Sequence, residues 1–183
     1  MALSGKLSHP QRFITTHNGD GKAVIDHTLS PHLPFYELAD DGTAFAQCHV
    51  THGFPTNLQH DKDIDVYRNY LNNPPGLTVS NGSVLRYVDM PPGGLSPMHR
   101  TVSLDYGVVL EGEVELILDS GETQIMRRGD ICVQRATMHA WRNRSETDWV
   151  RMLYVLQPVQ PLVVAGQEMK EDYGGMPGVK PSE

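Results

Sequence analysis

Cysteine is almost missing from this chain: Cys48 and Cys132 are the two among 183 residues. Two thiols cannot frame a disulfide-stapled fold. Cys132 lies inside an apolar run, and both are read as reduced core thiols. Basic charge is short as well, with 15 Lys and Arg against 22 Asp and Glu and a net charge of −7. Phosphate recognition needs clustered cations, and Arg127-Arg128 and Arg142/Arg144 are the nearest approach to a cluster. A nucleic-acid partner is therefore not expected. Long apolar runs are missing too. Nothing approaches the roughly 18 residues of a membrane span, and the start MALSGKLSHPQRF has no apolar stretch of signal-peptide length. These absences lead to the expectation of a cytoplasmic protein without a membrane partner. A length of 183 residues suits one domain, 1–183, around one buried core.

What is present is strand-like. Residues 1–80 are irregular, with short strands expected at 22–29 and 43–50. One short helix is expected at 61–71, where Ile64, Tyr67 and Leu71 fall at helical spacing. Asn72-Asn73-Pro74-Pro75-Gly76 ends it, because proline cannot continue a helix. From residue 84 short strands dominate, expected at 84–90, 98–110, 113–118, 124–126, 131–134, 139–143 and 150–156, with a hairpin turn at Ser120-Gly121. Many short strands with glycine turns indicate an all-β sandwich or closed barrel. The 157–183 extension is rich in Pro and Gly. It is expected to wrap the surface and fray from about Gly174.

Strand pleating decides which side chains share a cavity. In 98–110, His99, Thr101, Ser103, Asp105 and Gly107 fall on one face, and Arg100, Val102, Leu104, Tyr106 and Val108 on the other. The first set is small and polar and reads as a cavity lining. The second is mostly large and apolar and needs cover, from the N-terminal strands or from a second subunit. The same parity makes Arg86, Gln134, Trp141 and Tyr154 further candidates for contact with a small-molecule substrate. Arg86 would grip a carboxylate through its guanidinium. Cys48, His49, His52 and His60 have CHxxH-like spacing but no paired second half, and read as a loop near the barrel mouth.

Two segments carry a family resemblance. From Gly93, five residues lead to His99, then Arg100 and Thr101; Asp105 and Gly112 follow at the offsets of the first cupin motif. From Gly129, a second segment runs through Gln134 and Ala136, where that family's second motif has Pro and Gly, to His139 and Asn143. The stretch 84–156 thus resembles a cupin barrel. The resemblance implies the cupin double-stranded β-helix, a jelly-roll barrel, here with an N-terminal extension and one short helix, and a homodimer. It also implies a divalent metal (zinc, iron, manganese or nickel) on His99, His139 and Asp105. Thr101 stands where the family has another His, and Asp105 where it has Glu.

Two imidazoles and one carboxylate leave metal positions open for an oxygenated substrate. The function expected is a lyase or isomerase, metal-assisted, that decarboxylates, dehydrates or enolises a carboxylic or oxo metabolite, with secondary metabolism suggested by similar fungal cupins. Without metal, Asp105, His99 or His139 would act as general acid or base, or Asp105 would pair with Arg86 or Tyr106. Thr101 would orient a bound water, and Ser103, Gln134, Trp141 and Tyr154 would face the substrate. A metal-dependent dioxygenase and a non-catalytic ligand-binding cupin remain the alternatives at this level, and the substrate's identity is open.

Overall fold

The computed structural model describes residues 7–38 and 42–182. Residues 1–6, which begin the stretch read as lacking a signal-peptide core, and 39–41 and 183 lie outside the described residues. The elements in chain order are β1 (Thr15–His17), β2 (Ala23–Ile25), β3 (Phe35–Glu37), β4 (Ala44–His52), α1 (Lys62–Asn72) and β5 (Gly82–Met90). Then come β6 (Ser103–Glu111), β7 (Glu113–Leu118), β8 (Thr123–Arg127), β9 (Ile131–Arg135), β10 (His139–Asn143) and β11 (Val150–Pro158). Two short strands, β12 (Val163–Val164) and β13 (Gln167–Glu168), close the list of strands. No helix among the described residues is long and apolar enough to cross a membrane.

Strand alternation builds two antiparallel sheets. The larger has the order β3-β4-β5-β11-β6-β9 and the smaller β10-β7-β8. Val109 and Met152 of the larger sheet and Val114, Met126 and Trp141 of the smaller share one buried cluster, so the sheets pack face to face. A second cluster joins Tyr67 and Tyr70 of α1 to Phe45, Val50 and Leu156. Val88 and Tyr154 touch both clusters and mark the middle of the barrel.

The expected strand at 98–110 is two pieces. His99 bridges His139 beside the smaller sheet, whereas β6 pairs with β9 and β11 in the larger one. The chain crosses between sheets at Thr101 and Val102, which no single strand could do. Parity survives the break: His99, Thr101, Ser103 and Asp105 are all buried. Ala136, at the motif's glycine position, takes the left-handed conformation that glycine would favour, with φ 50°.

The tail does not fray from Gly174. Tyr173 Oη donates to Glu171 Oε2 at 2.7 Å and lies 2.6 Å from Ser182 Oγ, which accepts from Thr78 Oγ1 at 2.8 Å. Met176 and Val179 pack on the α1 cluster. A single antiparallel bridge between Asp172 and Arg100, with side-chain hydrogen bonds such as that of Thr78 to Ser182, pins this segment. Hydrophobic periodicity carries no trace of them.

The expected cover for the apolar outer faces is partial. Leu33 and Phe35 lie on Ala46, Cys48, Leu85 and Tyr87, outside β4 and β5. At the far edge Ile131 is 65% and Val133 52% exposed. Arg151 fixes the covered side: its Nε and Nη2 each donate to Asp89 at 2.6 Å, and Nη1 reaches the Ser8 carbonyl at 2.7 Å. Removing one partner of such a buried pair strands the other charge. Asp89→Asn and Arg151→Met are each expected to lose about 3–5 kcal/mol in denaturant unfolding. A loss below about 1 kcal/mol, the order of a surface pair, would show that the pair is not effectively buried.

Candidate active site

His99 and His139 are set by backbone pairing before their side chains matter. The His99 N–H donates to the His139 carbonyl at 2.8 Å, and the His139 N–H returns to the His99 carbonyl at 2.9 Å. The rings then face each other with centroids 4.3 Å apart. Each Nδ1 lies against the carbonyl two residues earlier, Pro97 at 2.8 Å and Thr137 at 2.9 Å. Each neutral ring therefore donates from Nδ1 and keeps its lone pair on Nε2. Burial disfavours the charged imidazoles: it lowers the pKa of His99, and with His99 nearby it takes His139 down to about 3.

These rings line a cavity of about 100 Å³ with Arg86, Thr101, Asp105, Trp141 and Tyr154. The register explains the grouping. Gln47, Arg86, Tyr154 and Gly107 form one rung across β4, β5, β11 and β6. A Cβ on Gly107 would sit 2.9 Å from the Tyr154 ring, so only glycine leaves that ring its place. The Trp141 ring packs edge-on against His139 at 5.7 Å and Tyr154 at 6.0 Å. Burial raises the Tyr154 phenol well above its ordinary pKa, which keeps it a neutral donor.

Asp105 is 4% exposed, and its Oδ2 accepts from Thr101 Oγ1 at 3.3 Å. Its Oδ1 has no hydrogen-bond partner. Desolvation lifts its pKa to about 6, against smaller opposing effects from Ser103, Thr101 and Arg86. Neither pairing expected from the sequence forms. Arg86 spends its Nη2 on Gln47 Oε1 at 3.1 Å and the Gly76 carbonyl at 2.8 Å, and lies over the Phe45 ring. Tyr106 points outward and is 39% exposed.

Ser103 and Gln134 have the right parity but do not reach the cavity lining. Ser103 Oγ donates to Thr101 Oγ1 at 2.7 Å, and Gln134 Nε2 is bound by Thr137 Oγ1. Among the described residues, no three of His, Cys, Asp and Glu come together to hold an ion, so Asp105 is not grouped with the two histidines. The CHxxH-like cluster also stays dispersed: Cys48 is buried, His49 packs on the Tyr67 ring, and His52 and His60 are exposed. Sequence reasoning missed Gln47, whose signal was a polar residue inside the apolar run AFAQCHV. It also missed Met176 and Pro177, which reach the cavity from the tail and carry no strand or helix signal.

The cupin-domain family model matches residues 86–156. The cupin-domain-containing oxidoreductase virC of Hypocrea virens is 42% identical over 162 residues, covering 86% of this chain and 80% of its own. This chain belongs to the cupin family. Its fold is the cupin double-stranded β-helix. The phomopsin biosynthesis cluster protein C′ of Diaporthe leptostromiformis is 44% identical over 176 residues, covering 96% of this chain and 90% of its own. Among solved structures, the Cnp3 cupin domain of Schizosaccharomyces pombe aligns with TM-score 0.48 and 13% identity, over 83% of this chain and 90% of that one.

Burial of these groups makes the cupin's stability pH-dependent in opposite senses. For Asp105 the folded value of about 6 exceeds the ordinary 3.8, so folding takes up a proton between them. Its contribution is full below 3.8 and is lost as pH rises through about 6. For His139 the folded value of about 3 lies below the ordinary 6.5. Its contribution is full above 6.5 and is lost as pH falls toward 3. Asp105→Asn is expected to raise stability at neutral pH by on the order of 3 kcal/mol at most, read as a higher thermal midpoint. The gap should close below pH 3.8, the ordinary value for Asp. A gap constant with pH would mean that Asp105 is not held in a desolvated site.

Proposed function

We propose that this cupin is an enzyme of secondary metabolism, of lyase or isomerase type, acting on a small carboxylic or oxo metabolite. One observation carries the reading: a buried carboxylate with an unpartnered oxygen lines a mostly apolar cavity whose other polar groups include neutral imidazoles, a phenol and a guanidinium. A base with pKa near 6 is well matched to proton transfer at neutral pH. Asp105 Oδ1 takes a proton from carbon beside a carbonyl, and the bonding pair moves onto the carbonyl oxygen as an enolate. The Tyr154 phenol, kept neutral by burial, favours that negative charge. The protonated Asp105 then returns its proton to a neighbouring carbon, which is isomerisation, or to a departing hydroxyl, which leaves as water. Support from relatives is at the level of setting, since similar proteins carry the names of phomopsin and oryzines biosynthesis clusters.

A second reading, a metal-dependent dioxygenase, is favoured by relatives named oxidoreductases and by the two histidines. Their Nδ1 bonds to backbone carbonyls resemble the support that metal-bound imidazoles receive. The donor set fits an ion in part. His99 and His139 would hold zinc, iron, manganese or nickel through Nε2, and the ion would supply Lewis acidity, or with iron redox chemistry. Three protein ligands are usual for a catalytic metal, and Asp105 is not grouped with the other two.

The compound that accumulates when the gene is deleted discriminates these readings. Incubated with purified protein in D2O, it is expected to take up solvent deuterium without consuming dioxygen. Asp105→Asn should cut the rate by about 10²–10⁴-fold, and kcat/KM should rise as pH climbs through about 6, because the base must be ionised. Stoichiometric dioxygen uptake by metal-loaded protein would replace this reading with the dioxygenase. Binding without turnover would leave a ligand-binding cupin.

We also propose that the protein is a homodimer in which a second copy covers β9. This strand ends the larger sheet and so has an unpaired edge, and an exposed apolar edge is a template for pairing. An antiparallel copy about a twofold axis would satisfy that edge and cover Ile131 and Val133. Light scattering should give twice the chain mass for the native protein and the monomer mass for Val133→Lys. A monomeric native protein refutes the proposal.

A further inference from the structure

The barrel contains two arginines that are almost completely buried, Arg151 at 6% and Arg86 at 2% exposure. They are treated in opposite ways. Arg151 has a carboxylate, Asp89, gripped through two nitrogens. Arg86 has neutral acceptors alone, the Gln47 amide oxygen and the Gly76 carbonyl. Its Nε is buried and has no partner. A buried cation without a counter-ion is unfavourable by several kcal/mol, and a buried N–H without an acceptor adds to that. No acceptor on the neighbouring strands meets the Nε–H, and the cation is relieved only in part, by the Phe45 ring and by the charge of Asp105 acting through space. Asp105 is the nearby carboxylate, and its Oδ2 is turned toward Thr101.

The cavity around Arg86 defines what could supply the missing oxygen. Apolar side chains form most of its wall, among them Phe45, Leu77, Val88, Met90 and Leu156. Met176 and Pro177 of the tail complete the lining. One guanidinium provides for one negative charge. The Asp105 carboxylate opposes a second, and the two neutral imidazoles offer lone pairs rather than protons from Nε2. A phosphate ester or a dicarboxylate would therefore bring charge that the site does not meet.

We propose that Arg86 is the anchor for the carboxylate of an apolar monocarboxylic acid, which pairs with its guanidinium and places its hydrocarbon or aryl body against the Phe45, Met90 and Leu156 wall. The inference rests on the acid–base reading above for the choice of a small acid, and it names the class of that acid. The anchoring group and the base are different residues. Arg86 holds the carboxylate while Asp105 lines the same cavity, so recognition and proton transfer can fail separately.

Calorimetric titration of the full chain with benzoate and octanoate, and with benzamide and octanamide, tests it. At least one acid is expected to bind about ten-fold or more tighter than its own amide, the range for a hydrogen bond to a charged group. In Arg86→Gln the acid and amide should bind equally. Arg86→Lys should restore part of the preference by keeping the charge. Asp105→Asn should keep the acid preference even though turnover is lost, which separates failure of the anchor from failure of the proposed reaction. Equal binding of acid and amide to the native protein overturns the proposal, as does binding of neither, or a preference that persists in Arg86→Gln. If Arg86→Gln does not fold, the native comparison and Arg86→Lys still decide.

Discussion

Two reciprocal backbone hydrogen bonds between His99 and His139 hold the site together. They join the segment after β5 to the smaller sheet, and they do so at the one place where both chains carry imidazoles. The geometry follows in order. Backbone pairing sets the two Cα positions, the carbonyls of Pro97 and Thr137 set the ring orientations, and the rings leave their unprotonated nitrogens toward the cavity. Just beyond, the chain leaves this sheet for the other, which brings Asp105 into the opposite wall. Asn143 fixes the far end of the same arrangement: its Nδ2 donates to the Pro91 carbonyl at 2.9 Å and the Asp148 carbonyl at 2.7 Å. The terminal Asn of the second motif is thus a clamp on the loop that delivers His99.

The treatment of buried charge divides the molecule into structure and function. On the outer side of β5 and β11, a bidentate ion pair with an aromatic surround attaches the N-terminal segment to the barrel. On the inner side, the guanidinium of Arg86 on β5 and the carboxylate of Asp105 on β6 each keep one polar atom without a partner. Buried nitrogens of Arg12 and Arg100 also lack partners, but Arg86 and Asp105 are the two such residues that line the cavity. The neutral imidazoles belong to the same economy, since two charged rings 4.3 Å apart in a dry wall would repel one another.

Much of this was legible in the chain. Alternation gave the barrel, and the offsets from Gly93 and Gly129 brought His99 and His139 to one cavity. Parity carried Thr101, Asp105, Arg86, Trp141 and Tyr154 to the same wall, even across a strand break, because burial continued to alternate. Parity gives the side of a strand but not the reach of a side chain. Ser103 and Gln134 point inward and are captured by Thr101 and Thr137 before they reach the open space. The grouping of Asp105 with the histidines depends on distances between two sheets, which no one-dimensional pattern encodes. The tail was invisible for a different reason: one isolated β-bridge, a few side-chain hydrogen bonds and scattered apolar contacts hold it, none of which has a period.

That tail places part of the cavity outside the barrel. Met176 and Pro177 stand in the wall, yet they lie beyond the 86–156 span that identifies the family. Barrel and tail can therefore diverge independently: the first preserves the chemistry-bearing rung, while the second reshapes the lining. A cupin of this type could acquire a new range of substrates by exchanging its last dozen or so residues, a change that a comparison confined to the motifs would never register.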